Sequence, residues 1–555
     1  MGSLRAVSMI LRQNGAPADA FSDLWQTLWP WIQFLEGYQD VLPEALITPR
    51  ERGITTTVSI SALRESPEAE ELMLLSLVDI CSILGGAWFH LVHADVTRYQ
   101  AAGEVLLMLL ECLRVSIAHP TWSRAAGDAL VTGAGPGTAA NLASLALIQL
   151  GMPTTRPYIF DNKRICALDN LIVFLGDASG IIDGDLKFDP AFREAMLTKG
   201  LVTLLTRLCR AGFEENLPVD TQEMFYEILL TYLHPYPCHR WTTEALQAGF
   251  LHTVFEAAKR LPESIDGVFD RLSSTTMLHS SLSQLRVSLD AIGNLETQVM
   301  DLKINYPQAY RHWDRFISVV QDRFTALDEY NAGNLKIPIA CHNYECAEIF
   351  LKPNIKVCRG CNVAFYCSKP CQKADWRAGH RRFCATVAWG IKRSHPHHPQ
   401  MSARDRSFLH TLLYHEFCTR RNEIAFKYIQ FARKNPTKTP YMLYDFRGGP
   451  CNIVIASLEE LDSGLTPEGV MEVMEREERI LFSFMRSKDE GRGYTRLFPT
   501  FFADRDFMAG LRTVVAGIPS DTDKEDTLNE YCAAVVSLMH CTPASKPGTD
   551  ERDIL

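Results

Sequence analysis

The sequence predicts a mostly α protein in three parts: an irregular helical domain of armadillo or HEAT type, a small two-zinc module, and a C-terminal α+β region. Three observations predict it. Apolar residues recur at three- and four-residue spacing over roughly the first 330 positions. Seven cysteines crowd between Cys341 and Cys384, with His380 among them at a ligand spacing. Beyond them, two β-rich runs flank Arg447-Gly-Gly-Pro450.

Bulk properties bound the answer. A chain of 555 residues exceeds one compact core, so two or three domains are expected. A hydrophobic content of 46% with 22% charged residues is ordinary for a folded chain and excludes global disorder. The formal net charge of −10 argues against a protein built as a whole to coat nucleic acid, so any basic surface must be local. Met1 to Pro17 lacks the apolar stretch and cleavage site of a signal peptide, and Ala6 replaces the Ser or Thr of a myristoylation signal. The apolar stretches Leu72–Val92 and Ala139–Met152 read as buried helices rather than membrane spans. The first contains Asp79 and Gly85-Gly86, and the second is too short. Of the 16 cysteines, nine are scattered singly, the pattern of reduced, buried thiols in an intracellular protein, cytoplasmic or nuclear.

Helices are expected in succession from about Asp19 to Glu329. Val105, Leu106, Leu109 and Leu113 share one face, as do Phe192, Met196, Leu201, Leu204 and Leu208, and Phe225, Ile228, Leu229 and Tyr232. Breakers divide them at Gly85-Gly86, His119-Pro120, Gly133 to Gly137, Gly151 to Pro153 and His234 to Pro237. Such a run suggests an α-solenoid, although no self-similar period emerges. A last helix at Tyr306–Tyr330 closes a domain of residues 1–330, and 331–340 forms a linker. In the tail, residues 395–555, helices are expected over Arg406–Phe431, Glu468–Ser487 and Thr527–Met539. Tyr441–Phe446 and Cys451–Ala456 make a hairpin.

Other local signals carry less. Gly133 to Thr138 lacks the lysine of a phosphate-binding loop and reads as an interhelical connection. Asp183, Asp185 and Asp189 break the calcium-loop pattern. His415-Glu416 is followed by Thr419 where a zinc protease needs histidine, and His395 to His398 reads as an extended linker.

The cysteine cluster needs its own chemistry. Its candidate ligands are Cys341, Cys346, Cys358, Cys361, Cys367, Cys371, His380 and Cys384. Eight soft donors are the count for two four-coordinate structural zinc ions, with none left over for an open catalytic position. Some 44 residues cannot bury enough apolar surface to fold alone, so metal must supply the difference, on the order of 10–16 kcal/mol per ion. Cys358-Arg-Gly-Cys361 reads as a knuckle in which Gly360 takes a positive φ. Ser368 is placed to cap a helix that carries Cys371, and His380 and Cys384 sit four apart on another turn.

Ala364-Phe-Tyr-Cys367-Ser-Lys-Pro-Cys371-Gln-Lys-Ala-Asp-Trp376, followed by His380-Arg-Arg-Phe-Cys384, resembles the MYND zinc finger. The resemblance implies a cross-braced fold in which Cys341, Cys346, Cys367 and Cys371 hold one zinc and Cys358, Cys361, His380 and Cys384 the other. The sequence departs from the family pattern in two places: the first pair encloses four residues, and eight precede His380, the extra one near Gly379. Members of the family bind proteins, some taking proline-rich peptides in a shallow groove. By position this implies Gln372 and Trp376 as groove residues, Trp376 alternatively capping the small core, while Tyr366 packs.

Between Cys341 and Arg393, ten Lys or Arg stand against three acids. Seven thiolates and two zinc ions together remove three charges from that excess, leaving about +4, too little to argue for DNA. The reading that follows is a non-catalytic scaffold or adaptor with two structural zinc ions and protein partners. The alternative is a SET–MYND-like lysine methyltransferase. The cofactor and tyrosine motifs of that family are not found, and a helical stretch occupies the place of its β-rich start.

Overall fold

The computed structural model describes residues 67–94 and most of 102–110, 120–151, 162–178, 190–233, 238–333, 338–351, 356–385, 402–460, 482–499 and 506–539. The expectations for Asp19 to Ser66, for Asp183 to Asp189 and for His395 to His398 lie outside the described residues. The described chain is mostly helical and divides into two compact units. One closes at residue 265 and the other opens at residue 266, apart from residues 234–243, which group with the second.

The first unit contains α1 (Pro67–Ala94), α2 (Pro120–Gly133), α3 (Ala139–Gly151), α4 (Asn162–Ala178), α5 (Pro190–Thr198), α6 (Leu201–Glu214) and α7 (Val219–Leu233). α8 (Cys238–Gln247) spans the division, and α9 (Phe250–Arg260) belongs to the first unit. Helices pack chiefly on near neighbours, α1 on α2 and α6 on α7 and α9. Trp88 is fully buried, donates to Gln149 Oε1 at 2.6 Å and meets Phe174 edge-on at 5.4 Å, tying α1, α3 and α4 together.

Two local expectations need correction. Gly85-Gly86 does not break the chain, since α1 runs through it. The glycine serves instead to let two backbones meet. A Cβ at Gly85 would lie 2.8 Å from the carbonyl oxygen of Leu130, and one at Gly133 2.0 Å from that of Ser82. Conversely, the stripe from Phe192 to Leu208 spans two helices, because Gly200 turns left-handed (φ 97°) between α5 and α6. Phe192, Met196, Leu201 and Leu208 are buried on both sides of that turn.

The second unit begins with α10 (Val268–Thr275), α11 (His279–Asp290), α12 (Leu295–Asn305) and α13 (Pro307–Ala332). The finger follows: β1 (Pro338–Ala340), β2 (Ile349–Leu351), β3 (Lys356–Val357), β4 (Phe365–Tyr366) and α14 (Lys369–Asp375). The tail holds α15 (Ala403–Thr419), α16 (Arg421–Lys434), β5 (Tyr441–Asp445), β6 (Asn452–Ala456), β7 (Phe482–Asp489), β8 (Arg492–Pro499), α17 (Asp506–Ala516) and α18 (Glu525–Leu538). The division therefore falls near residue 266, whereas the change of sequence character falls near residue 330. Met277, Leu278 and Ala326 share one core with Leu412, Tyr428, Met442, Phe507 and Val535, and α11 and α13 pack on α15 of the tail. The buried guanidinium of Arg323 on α13 reinforces this by donating to Ser273 O, Thr276 Oγ1 and Gly449 O.

The expected hairpin forms, with Leu443 opposite Val454 in an antiparallel pair. It belongs to a four-stranded sheet of order β6-β5-β7-β8, in which β7 runs parallel to β5 and pairs antiparallel with β8. The helix expected over Glu468–Ser487 is thus corrected at its C-terminal end, where Phe482–Asp489 is strand. Only Phe482-Ser483-Phe484 alternates in polarity, and pairing with β5 on one side and β8 on the other selects the strand.

Candidate metal centre

The finger is built on two short hairpins and one short helix. β1 pairs with β2, and β3 with β4, bringing Lys356 opposite Tyr366. The two are joined where His342 N donates to Phe365 O at 2.8 Å while His342 Nδ1 accepts from Phe365 N at 3.1 Å. Ser368 caps α14, its hydroxyl accepting from Cys371 N at 3.3 Å as the sequence suggests. Asn343 O accepts from Cys346 N at 2.8 Å, closing the longer first turn between ligands.

These elements gather the eight predicted ligands into two clusters, Cys341, Cys346, Cys367, Cys371 and Cys358, Cys361, His380, Cys384. Within each, every ligand atom lies within 4.8 Å of the others. The pairs alternate along the chain, which is the cross-brace. Zinc–sulfur bonds of about 2.3 Å in a tetrahedron put neighbouring sulfurs about 3.8 Å apart. Cys346 and Cys367 sulfurs stand 3.6 Å apart, Cys367 and Cys371 3.5 Å, and Cys358 and Cys384 3.6 Å. His380 Nε2 lies 3.3 Å from Cys358 Sγ and 3.7 Å from Cys361 Sγ. Donor set and spacing fit two zinc ions.

Among the described residues the ligands are also the core of the finger: Cys341, Cys358, Cys361 and Cys384 pack with Ala364 and Tyr366, with Cys346, Cys367 and Cys371 against them. Burial pushes the thiols of Cys341 and Cys384 up, to about 11 and about 12, whereas hydrogen bonding to Ser368 holds Cys371 at about 7. Zinc binding must therefore displace protons, and the metals supply the folding free energy that this small core lacks.

Gly360 departs from expectation. It does not adopt a positive φ; what the knuckle requires is space, because a Cβ there would lie 2.5 Å from Cys384 Sγ. The extra residue before His380 is absorbed in a π-helical turn, Trp376–His380, where Gly379 leaves helical geometry at φ 165°. A π turn is the usual way a helix accommodates one inserted residue.

Asp375 is the residue that sequence reasoning missed. It is buried, accepts a hydrogen bond from Tyr366 OH at 2.6 Å, and its Oδ2 lies 3.9 Å from His380 Nδ1. Burial raises its carboxyl above the usual range and, with the bond to Asp375, raises the Tyr366 phenol as well. A carboxylate behind a ligating imidazole fixes its tautomer and orientation. One acid in so basic a helix was the available signal.

Gln372 and Trp376 lie one turn apart on α14 and the turn after it, Gln372 half-buried and Trp376 41% exposed. Two further sequence signals resolve into structure: His415 Nδ1 contacts Glu329 Oε2 at 3.1 Å, and Thr138 caps α3 from the loop after α2.

Residues 341–384 match the family model of the MYND finger. This segment is a MYND finger, a cross-braced module fitting two zinc ions. The match covers the finger and leaves the flanking helices unassigned. Neither a curated protein nor a solved structure matches the chain. No helix among the described residues is long and apolar enough to cross a membrane.

Proposed function

We propose that the protein is a non-catalytic, intracellular scaffold that binds partner proteins through the finger face carrying Gln372 and Trp376, with proline-rich peptides as ligands. One observation carries the reading: Trp376 is 41% exposed, whereas Tyr366 is fully buried in the ligand core. A partly exposed indole, its ring 5.8 Å from that of His380 and beside a polar Gln372, is a surface on which a pre-extended peptide docks with little loss of entropy. We read the first-unit helices as an irregular armadillo-like stack that presents further binding surface; the packing of α1 on α2 and of α6 on α7 and α9 supports this.

The test is titration of a labelled proline-rich peptide into the full chain and into a Trp376→Ala variant with unchanged zinc content. Wild-type binding that disappears in the variant is expected; equal binding would remove the face from the interaction. Titration with S-adenosylmethionine is expected to give flat heats, and clear micromolar binding would favour the methyltransferase.

A further inference from the structure

The helix that leads to the exposed indole is rich in basic residues. Lys369, Lys373 and Arg377 recur every four residues along α14 and into the turn after it, each next in sequence to or near Gln372 and Trp376, and Arg381 follows beyond the kink at Gly379. All four are exposed, as are Arg359 and Arg382. Among the described residues, none of these six cations pairs with a carboxylate. Of the finger's acids in that set, Asp375 is buried behind His380, and Glu345 alone is exposed.

The metal centres do not consume this charge. A zinc held by four thiolates carries two negative charges, one held by three thiolates and an imidazole carries one, and the excess that survives them is about +4. Four of those thiolates are buried and three half-buried, whereas the six cations are exposed. A cationic stripe flanking an exposed aromatic selects by charge complementarity, which sets the choice of partner and the rate of encounter more than the affinity itself.

We propose that the face accepts an acidic peptide: a proline-containing segment lies on Trp376, and adjoining Asp or Glu residues pair with Lys373, Arg377 and Arg381. This rests on the peptide-binding reading above and adds the charge of the partner. A protein partner is favoured over nucleic acid because the stripe is short and adjoins an indole and an amide rather than a broad basic field, and because the chain as a whole is acidic at −10.

The experiment measures fluorescence anisotropy of the full-length, zinc-loaded protein with three probes. They are a labelled Pro-x-x-Pro peptide with a short glutamate tail, the same peptide with glutamines, and a DNA duplex. At low salt the glutamate peptide is expected to bind on the order of tenfold more tightly than its glutamine twin, several exposed pairs each giving a small factor. The difference should collapse as salt shortens the screening length from about 10 Å at 0.1 M to about 3 Å at 1 M. It should also vanish in the triple variant Lys373→Gln, Arg377→Gln, Arg381→Gln, whose zinc content reports that the finger remains folded. Equal affinity for both peptides overturns the acidic specificity and leaves the peptide-binding reading intact. No binding of either peptide removes both. Tighter binding of the duplex than of the glutamate peptide assigns the stripe to nucleic acid and overturns the proposal.

Discussion

The phenol of Tyr366 donates to Asp375 Oδ2 at 2.6 Å, and the same carboxylate oxygen lies 3.9 Å from Nδ1 of His380, whose Nε2 faces the sulfurs of the second cluster. One buried acid thereby links the β4 strand to the only imidazole among the eight ligands.

Replacing Asp375 by Ala is expected to weaken the zinc site containing His380 by roughly 10- to 100-fold, the range typical of such supporting carboxylates. Competition against a chromophoric chelator measures this directly. Asp375→Asn, which keeps an acceptor for Tyr366, should lose less; equal losses would mean that only the charge matters.

Gly360→Ala places a Cβ 2.5 Å from Cys384 Sγ. The sulfur cannot retreat without leaving its cluster, so the variant should bind close to one zinc per chain instead of two. Elemental analysis of purified protein decides it, and two full equivalents would show that the knuckle yields.

Arg323 is buried and donates to three acceptors, one of them in the turn between β5 and β6. Arg323→Met strands those acceptors and should destabilise the second unit by about 3 kcal/mol, read as a lower urea midpoint. Arg323→Lys should rescue little, since an ammonium cannot span separate acceptors as the planar fork does.

At Gly133, an added methyl meets the carbonyl oxygen of Ser82 at 2.0 Å. Gly133→Ala should force α1 and α2 apart and cost roughly 1–3 kcal/mol. Thermal melting should show the loss, whereas Gly127→Ala, where nothing lies within 4 Å, should melt like the wild type or slightly higher.

Glu423 receives Arg420 Nε and Nη2 at 2.8 Å each and Lys427 Nζ at 2.7 Å, and the Arg420 guanidinium holds its carboxyl at about 2. A depressed carboxyl stabilises the fold fully above its unfolded value of 4.5, and the contribution is lost as pH falls from there towards about 2. The side chain is 40% exposed, so water screens the pair and the energy is modest. Carboxyl NMR should show Glu423 ionised at pH 3 in the wild type and titrating at higher pH in Arg420→Gln, with Lys427 still opposing a full return to the free value.

Local pattern determined several features of this protein by itself. Eight donors at metal-binding intervals mark the ligand set, because four-coordinate zinc takes thiolate and imidazole ligands in pairs a few residues apart. Ser368 before a helix, the apolar periodicity of Phe225 to Tyr232, and the turn at Arg447 to Pro450 each depend on neighbours within a few residues. What tertiary structure alone decided depends on residues far apart in the chain. Only the approach of α2 shows that Gly85 permits contact rather than ending a helix, and only Cys384 shows what Gly360 must leave empty. The strand at Phe482–Asp489 exists because β5 and β8 complete its hydrogen bonds. Asp375 gains its place behind His380, and α11 and α13 join the tail, through contacts that no periodicity records, since burial is settled by what the folded chain brings opposite a residue.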